Sequence, residues 1–205
     1  LIKNSTKNKK RILVNVNNKL VSGLTALMIL APYKTRSFVR ATASLDKLGI
    51  SIVDARIVLL SKKDQVLHTY FILNSKGKMI SNRDDLYRIS NNLIDDLQSS
   101  SYENVIINRK ASRQVRVFST PIKINLSKDL KNNRTVLELI ASDQPGLLAK
   151  LGKIFFDLNI KLQNAKISTV GERAEDVFFI TNSKNQALGK NICNNLELSI
   201  NKTFS

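Results

Sequence analysis

Residues Thr135–Phe155 read TVLELIASDQPGLLAKLGKIF. Val136 to Ile140 alternates apolar and polar side chains, the pattern of a half-buried strand. Leu147, Leu148, Leu151, Ile154, Phe155 and Leu158 then recur at steps that keep one helix face on a core. Between the two lies the polar turn Asp143-Gln144-Pro145-Gly146. Pro145 is expected to set φ close to the helix start, and Gly146 to let the backbone approach another body. A degraded form of the stretch, TALMILAPYKTRSFVRATASL, occupies Thr25–Leu45, 110 residues earlier.

The repeat extends outward from there. At the same offset Ile12, Val14 and Val16 fall on Ile122, Ile124 and Leu126, and Ala55 and Ile57 fall on Ala165 and Ile167. Beyond that point the offset becomes 108, with Phe71-Ile72 over Phe179-Ile180. The first copy is thus two residues longer in between, where a hairpin loop absorbs them. Internal similarity over such a span points to two related units.

Each copy reads β-β-α-β-β-α. Ile12–Asn17 and Ile122–Leu126 are the first strands, with turns at Ser22-Gly23 and Lys131-Asn132-Asn133. Leu24–Leu30 and Val136–Ile140 follow. The helix of copy one keeps Phe38, Ala41, Leu45 and Leu48 inward, and Gly49 and Asn159 stand where a helix stop with positive φ is expected. Hairpins come next: Ile50–Leu60 with Val66–Leu73, and Ile160–Val170 with Asp176–Thr181. Closing helices carry Leu86, Ile89, Leu93 and Leu97 after a Ser81/Asn82 cap, and Ile192, Leu196 and Ile200. An ordinary ferredoxin-like unit is β-α-β-β-α-β. Here the last strand has moved to the front, into the same antiparallel slot. The fold class is α+β, two permuted ferredoxin-like units, each an antiparallel sheet with two helices on one face. The expected division is residues 12–98, a connection 99–120 and residues 121–205. The connection is polar and basic, with Val115–Phe118 a candidate short strand.

Composition limits the function. Apolar residues are 42 % of the chain, enough for real cores, and the net charge is +17. That charge admits nucleic acid or an acidic surface as partner. Yet the basic residues are scattered apart from Lys7-Asn8-Lys9-Lys10-Arg11, and a genome rich in A and T would give the same Lys and Asn usage. Cys193 is the only cysteine, so one chain can hold no disulfide, and a reducing cytoplasm fits. No apolar run reaches the ~18 residues of a membrane span, so no membrane contact is expected. The first residue is Leu1, which suggests a piece of a longer protein.

With its Asp-Gln-Pro-Gly turn before the first helix, the repeated unit resembles ACT domains, small amino-acid-sensing modules. Arg134–Thr181 is similar to the C-terminal ACT domain of the bacterial bifunctional uridylyltransferase/uridylyl-removing enzymes. Thr169-Val170-Gly171-Glu172-Arg173-Ala174-Glu175-Asp176 is the distinctive part. Arg113-Gln114 leading to Phe118-Ser119-Thr120-Pro121 resembles that family's connection between its ACT domains. Copy one matches more loosely, in Ala31-Pro32 and Asp54-Ala55-Arg56-Ile57. The resemblance implies a regulatory module of an enzyme that adds UMP to the PII nitrogen-signalling protein and removes it. It implies catalytic domains N-terminal to this segment as partners, PII reached through them, UTP and Mg in the parent enzyme, and no cofactor in the segment. No catalytic residue and no metal site is expected here. His68 is the only histidine, and Asp84-Asp85 and Asp95-Asp96 fall on a presumed helix with no Gly-Ser motif before them.

A helix N-terminus offers unpaired amides and partial positive charge, a natural seat for a carboxylate. The resemblance implies L-glutamine as effector at Asp143, Gln144, Pro145, Gly146 and Leu147, facing a second-strand start near Ser51 or Lys161. Asp143 would take the ammonium group and Gln144 a side-chain amide. From spacing alone, Asp143 serves equally as a helix cap. Copy one has Tyr33-Lys34-Thr35-Arg36 at this turn, which leaves ligand binding there open. Two other readings stand beside the sensor: a basic ferredoxin-like module for nucleic acid, and an ACT pair of another amino-acid-regulated enzyme.

Overall fold

The computed structural model describes residues 12–33, 36–60, 65–99 and 120–204. The basic run at 7–11, Lys34-Thr35 and the candidate strand at 115–118 lie outside the described residues, as does most of the connection.

Copy one comprises β1 (Leu13–Val21), β2 (Leu24–Pro32), α1 (Ser37–Lys47), β3 (Ser51–Leu60), β4 (Gln65–Leu73) and α2 (Arg83–Gln98). Copy two repeats the order with β5 (Lys123–Asp129), β6 (Arg134–Ser142), α3 (Leu147–Asp157), β7 (Lys161–Val170), β8 (Arg173–Thr181) and α4 (Lys190–Phe204). The expected β-β-α-β-β-α order therefore stands in both copies. The two extra residues of copy one fall between Leu60 and Gln65, where copy two has only Gly171-Glu172.

Among the described residues, eight strands join one antiparallel sheet in the order β1-β2-β4-β3-β7-β8-β6-β5. β1 pairs with β2 and β5 with β6, so the displaced strand does occupy the slot beside the first core strand. The two halves meet at β3 and β7, where Ala55 faces Ile167, Arg56 faces Lys166 and Ile57 faces Ala165. Both strands carry an irregularity at equivalent places, between Ile52 and Asp54 and between Leu162 and Asn164. Such bulges bend a strand and re-aim its neighbours. Here they sit beside the ends that face the turns.

Period two along each strand decides which residues go inward. Leu27, Ile29 and Ala31 of β2 and Ala174, Asp176, Phe178 and Ile180 of β8 are buried. One apolar cluster runs through both halves. Phe38 of α1 meets Phe178 edge-on at 6.2 Å, and Phe155 of α3 meets the same ring at 5.6 Å. The helices cross closely at Gly152, where an added Cβ would stand 2.8 Å from the Cβ of Val39. Helix ends follow the expected chemistry. Asn82 caps α2 by accepting from the Asp84 amide at 2.9 Å, and Gly49 and Asn159 take φ of 74° and 53°. Among the described residues no helix is long and apolar enough to cross a membrane.

Candidate effector site

The turn after β6 leads into α3 by a route the sequence did not suggest. The helix begins at Leu147, and Gly146 before it is left-handed, with φ 74° and ψ 6°. Pro145 therefore lies outside the helix, and the glycine makes the bend, because a left-handed residue is least costly without a Cβ. Arg36 takes the equivalent conformation in copy one, with φ 55° and ψ 34°, at the cost a side chain incurs there. No side chain caps α3. The Asp143 amide instead donates to the Glu172 carbonyl at 2.8 Å, tying the turn to the β7–β8 hairpin tip. The Leu147 amide donates to the Gln144 carbonyl at 3.1 Å, so the donors left at this terminus are those of Leu148 and Ala149.

A cavity of about 370 Å³ opens beside the turn. One wall is residues 143–149, another is the hairpin tip, and the far wall is Thr42, Asp46, Ser51 and Ile52 of copy one. Thr169 bridges the walls by donating to the Ile52 carbonyl at 3.4 Å. Of the two facing residues considered from sequence, the structure brings Ser51 to this turn. Lys161 lies elsewhere. It lines a second cavity of about 190 Å³ with Tyr33, Arg36, Ser37 and His68, and its Nζ donates to Asn185 Oδ1 at 3.0 Å. Each turn thus faces the strand start of the other copy.

Asp176 is the residue sequence reasoning missed. It lies on β8 opposite Leu139, it lines the larger cavity, and it is 2 % exposed. Its Oδ1 accepts from the Ser168 amide at 3.3 Å, while Oδ2 has no hydrogen-bond partner among the described residues. Burial pushes its pKa up to about 7, against the pull of the Ser168 amide, and the nearby Asp143 charge adds to the rise. The signal was legible: period two places Asp176 in line with Phe178 and Ile180, and an acid on an inward face needs a reason.

His68 holds the same place in copy one, opposite Ile29 as Asp176 is opposite Leu139. It is fully buried. Its Nε2 pairs with Ser37 Oγ at 2.8 Å and its Nδ1 with Tyr70 OH at 3.0 Å. Burial lowers its pKa to about 3, so the ring is neutral, and since both hydroxyls can donate or accept, either neutral tautomer is satisfied at both nitrogens. This histidine is a satisfied core residue. Asp84 and Asp85 lie on α2, where Asp85 pairs with Arg88 at 2.9 Å. Cys193 lies half-buried on α4, and burial raises its pKa.

Residues 135–191 match the family model of the ACT domain. A bifunctional uridylyltransferase/uridylyl-removing enzyme of Azotobacter vinelandii is 39 % identical over 180 residues, 87 % of this chain and 20 % of that protein. One of Pseudomonas savastanoi pv. phaseolicola is 40 % identical over 185 residues, 89 % of this chain and 20 % of the relative. One of Pseudomonas fluorescens is 37 % identical over 196 residues, 95 % of this chain and 22 % of the relative. The chain is homologous to the C-terminal region of these enzymes and carries an ACT domain. It spans about one fifth of their length. The cavity therefore opens at the helix-entry turn of an ACT domain, and the ACT-like first half supplies its far wall. A solved aspartate kinase from Synechocystis aligns at 13 % identity over 80 % of this chain and 25 % of that one, with a TM-score of 0.43. That likeness bears on neither fold nor function.

Proposed function

We propose that the chain is the regulatory segment of a bifunctional uridylyltransferase/uridylyl-removing enzyme, and that L-glutamine binds in the cavity at the Asp143–Leu147 turn. The observation that carries this reading is the cavity itself. It joins a helix N-terminus to a carboxylate-bearing wall across two ACT-like units, which suits a small zwitterion. The guest's carboxylate would meet the amides of Leu148 and Ala149. Its ammonium group would turn toward the acidic wall that begins at Asp143, and its side-chain amide toward Gln144.

The parent protein would be cytoplasmic. It would carry the transferase and hydrolase domains N-terminal to this segment, use UTP and Mg, and act on PII. Glutamine would favour removal of UMP from PII and its absence the addition. Such control requires the effector to bind one state of the whole enzyme better than another. The test is a calorimetric titration of this chain with L-glutamine, with L-glutamate as control. Saturable heat with glutamine supports the reading. No heat at millimolar glutamine, in this chain and in the full-length enzyme alike, refutes it.

A further inference from the structure

Asp46, Asp143, Glu172 and Asp176 all line the larger cavity, and no Lys, Arg or His lines it among the described residues. This happens in a chain with a net charge of +17. Asp176 is the most demanding of the four, since it is buried and one of its oxygens has no partner. A buried polar atom left so costs stability, and such costs gather where a ligand binds.

Comparison of the two copies sharpens the point. In copy one the place of Asp176 is taken by His68, and both ring nitrogens are bound by Ser37 and Tyr70. Those two positions correspond to Leu147 and Phe178 in copy two, which offer no side-chain hydrogen-bonding group. Three exchanges therefore close the polar chain in copy one, while in copy two they leave a buried carboxylate oxygen without a hydrogen-bond partner among the described residues.

We infer that Asp176 receives the ammonium group of the bound effector. The inference rests on the cavity being the effector site. Asp143 lines the same cavity as Asp176, so an ammonium group held between them would meet both residues. In copy one the same position is already satisfied from within.

The experiment is calorimetry on the 205-residue chain and on Asp176→Asn, with L-glutamine, L-lysine, L-glutamate and the des-amino analogue of glutamine. Asn keeps the shape and removes the buried charge, and a thermal melt checks folding. Loss of a hydrogen bond to a charged group is worth about 10- to 100-fold in affinity. Asp176→Asn should weaken glutamine by that factor. The parent should show a like factor between glutamine and its des-amino analogue, a readout that does not depend on the variant. If glutamine binds but is indifferent to both changes, the inference fails and the glutamine reading stands. If lysine alone binds and needs Asp176, the glutamine reading fails and the inference stands. If none of the four binds, both fail.

Discussion

Arg56 lies directly opposite Lys166 across the β3–β7 junction, and each holds in its own half the place the other holds in its half. A two-fold relation therefore passes between them, and both side chains are exposed. Like charges directly opposite on neighbouring strands are unfavourable by about 0.2–1 kcal/mol. Arg56→Glu should reverse this and stabilise the chain by about 0.5 kcal/mol. The gain should shrink in molar salt, as for any exposed pair. Urea unfolding at low and high salt checks it. Equal stability at both would mean that the two side chains do not sense each other.

The same symmetry sends each turn to the strand start of the other half. Ser51 lines the cavity beside Asp143, whereas Lys161 lines the smaller one beside Arg36. Ser51 is exposed, so a bulky replacement need not disturb the core. Ser51→Trp should weaken glutamine binding tenfold or more, roughly the cost of an obstructed contact. Lys161→Trp should leave it within about twofold. Titration of both variants against the parent decides, and equal effects would show that the cavity does not bind as drawn.

Gly152 brings α3 against α1 more closely than any side chain allows. An added Cβ would lie 2.8 Å from Val39 Cβ and 3.2 Å from Phe38 Cδ1. Alanine raises helix propensity but overpacks this crossing, and overpacking costs about 1–3 kcal/mol. Gly152→Ala should therefore lower stability despite the better helix former. A chemical-denaturation midpoint at or above that of the parent would contradict the close crossing.

His68 and Asp176 give opposite slopes with pH. His68 has a folded pKa near 3 against an ordinary value of 6.5. Its contribution is present above 6.5 and lost as pH falls toward 3. Asp176 has a folded pKa near 7 against 3.8. Its contribution is complete below 3.8 and lost as pH rises through 7. In the overlap the two slopes partly cancel. Asp176→Asn should expose the histidine, so that stability rises with pH up to about 6.5, and should gain about 2–4 kcal/mol over the parent at pH 8. His68→Gln should show the reverse, with stability falling as pH rises through 7. Urea midpoints at half-unit pH steps test both. An unchanged profile in either variant would mean that the group is not buried as described.

Much of the architecture could be read directly from residue order. Alternation in Val136–Ile140 and helical spacing from Leu147 to Leu158 are local patterns, and both elements form where expected. The displaced first strand was legible too, since a hairpin turn at Gly23 admits only an antiparallel neighbour. The helix entry was only half legible. Asp-Gln-Pro-Gly announced a turn, but a left-handed Gly146 with Pro145 outside the helix depends on dihedral angles that several turns share.

What the amino-acid order determined by itself was the pair of β-β-α-β-β-α units, because periodicity and turn chemistry act over a few residues. The tertiary structure decided that β3 pairs with β7, that Ser51 and not Lys161 meets the Asp143 turn, and that Asp176 and His68 occupy matching places with opposite hydrogen bonding. Strand edges join through backbone groups that every residue carries, so the junction leaves little mark on the side chains. The cavity inherits that choice, since its walls belong to different halves of the chain.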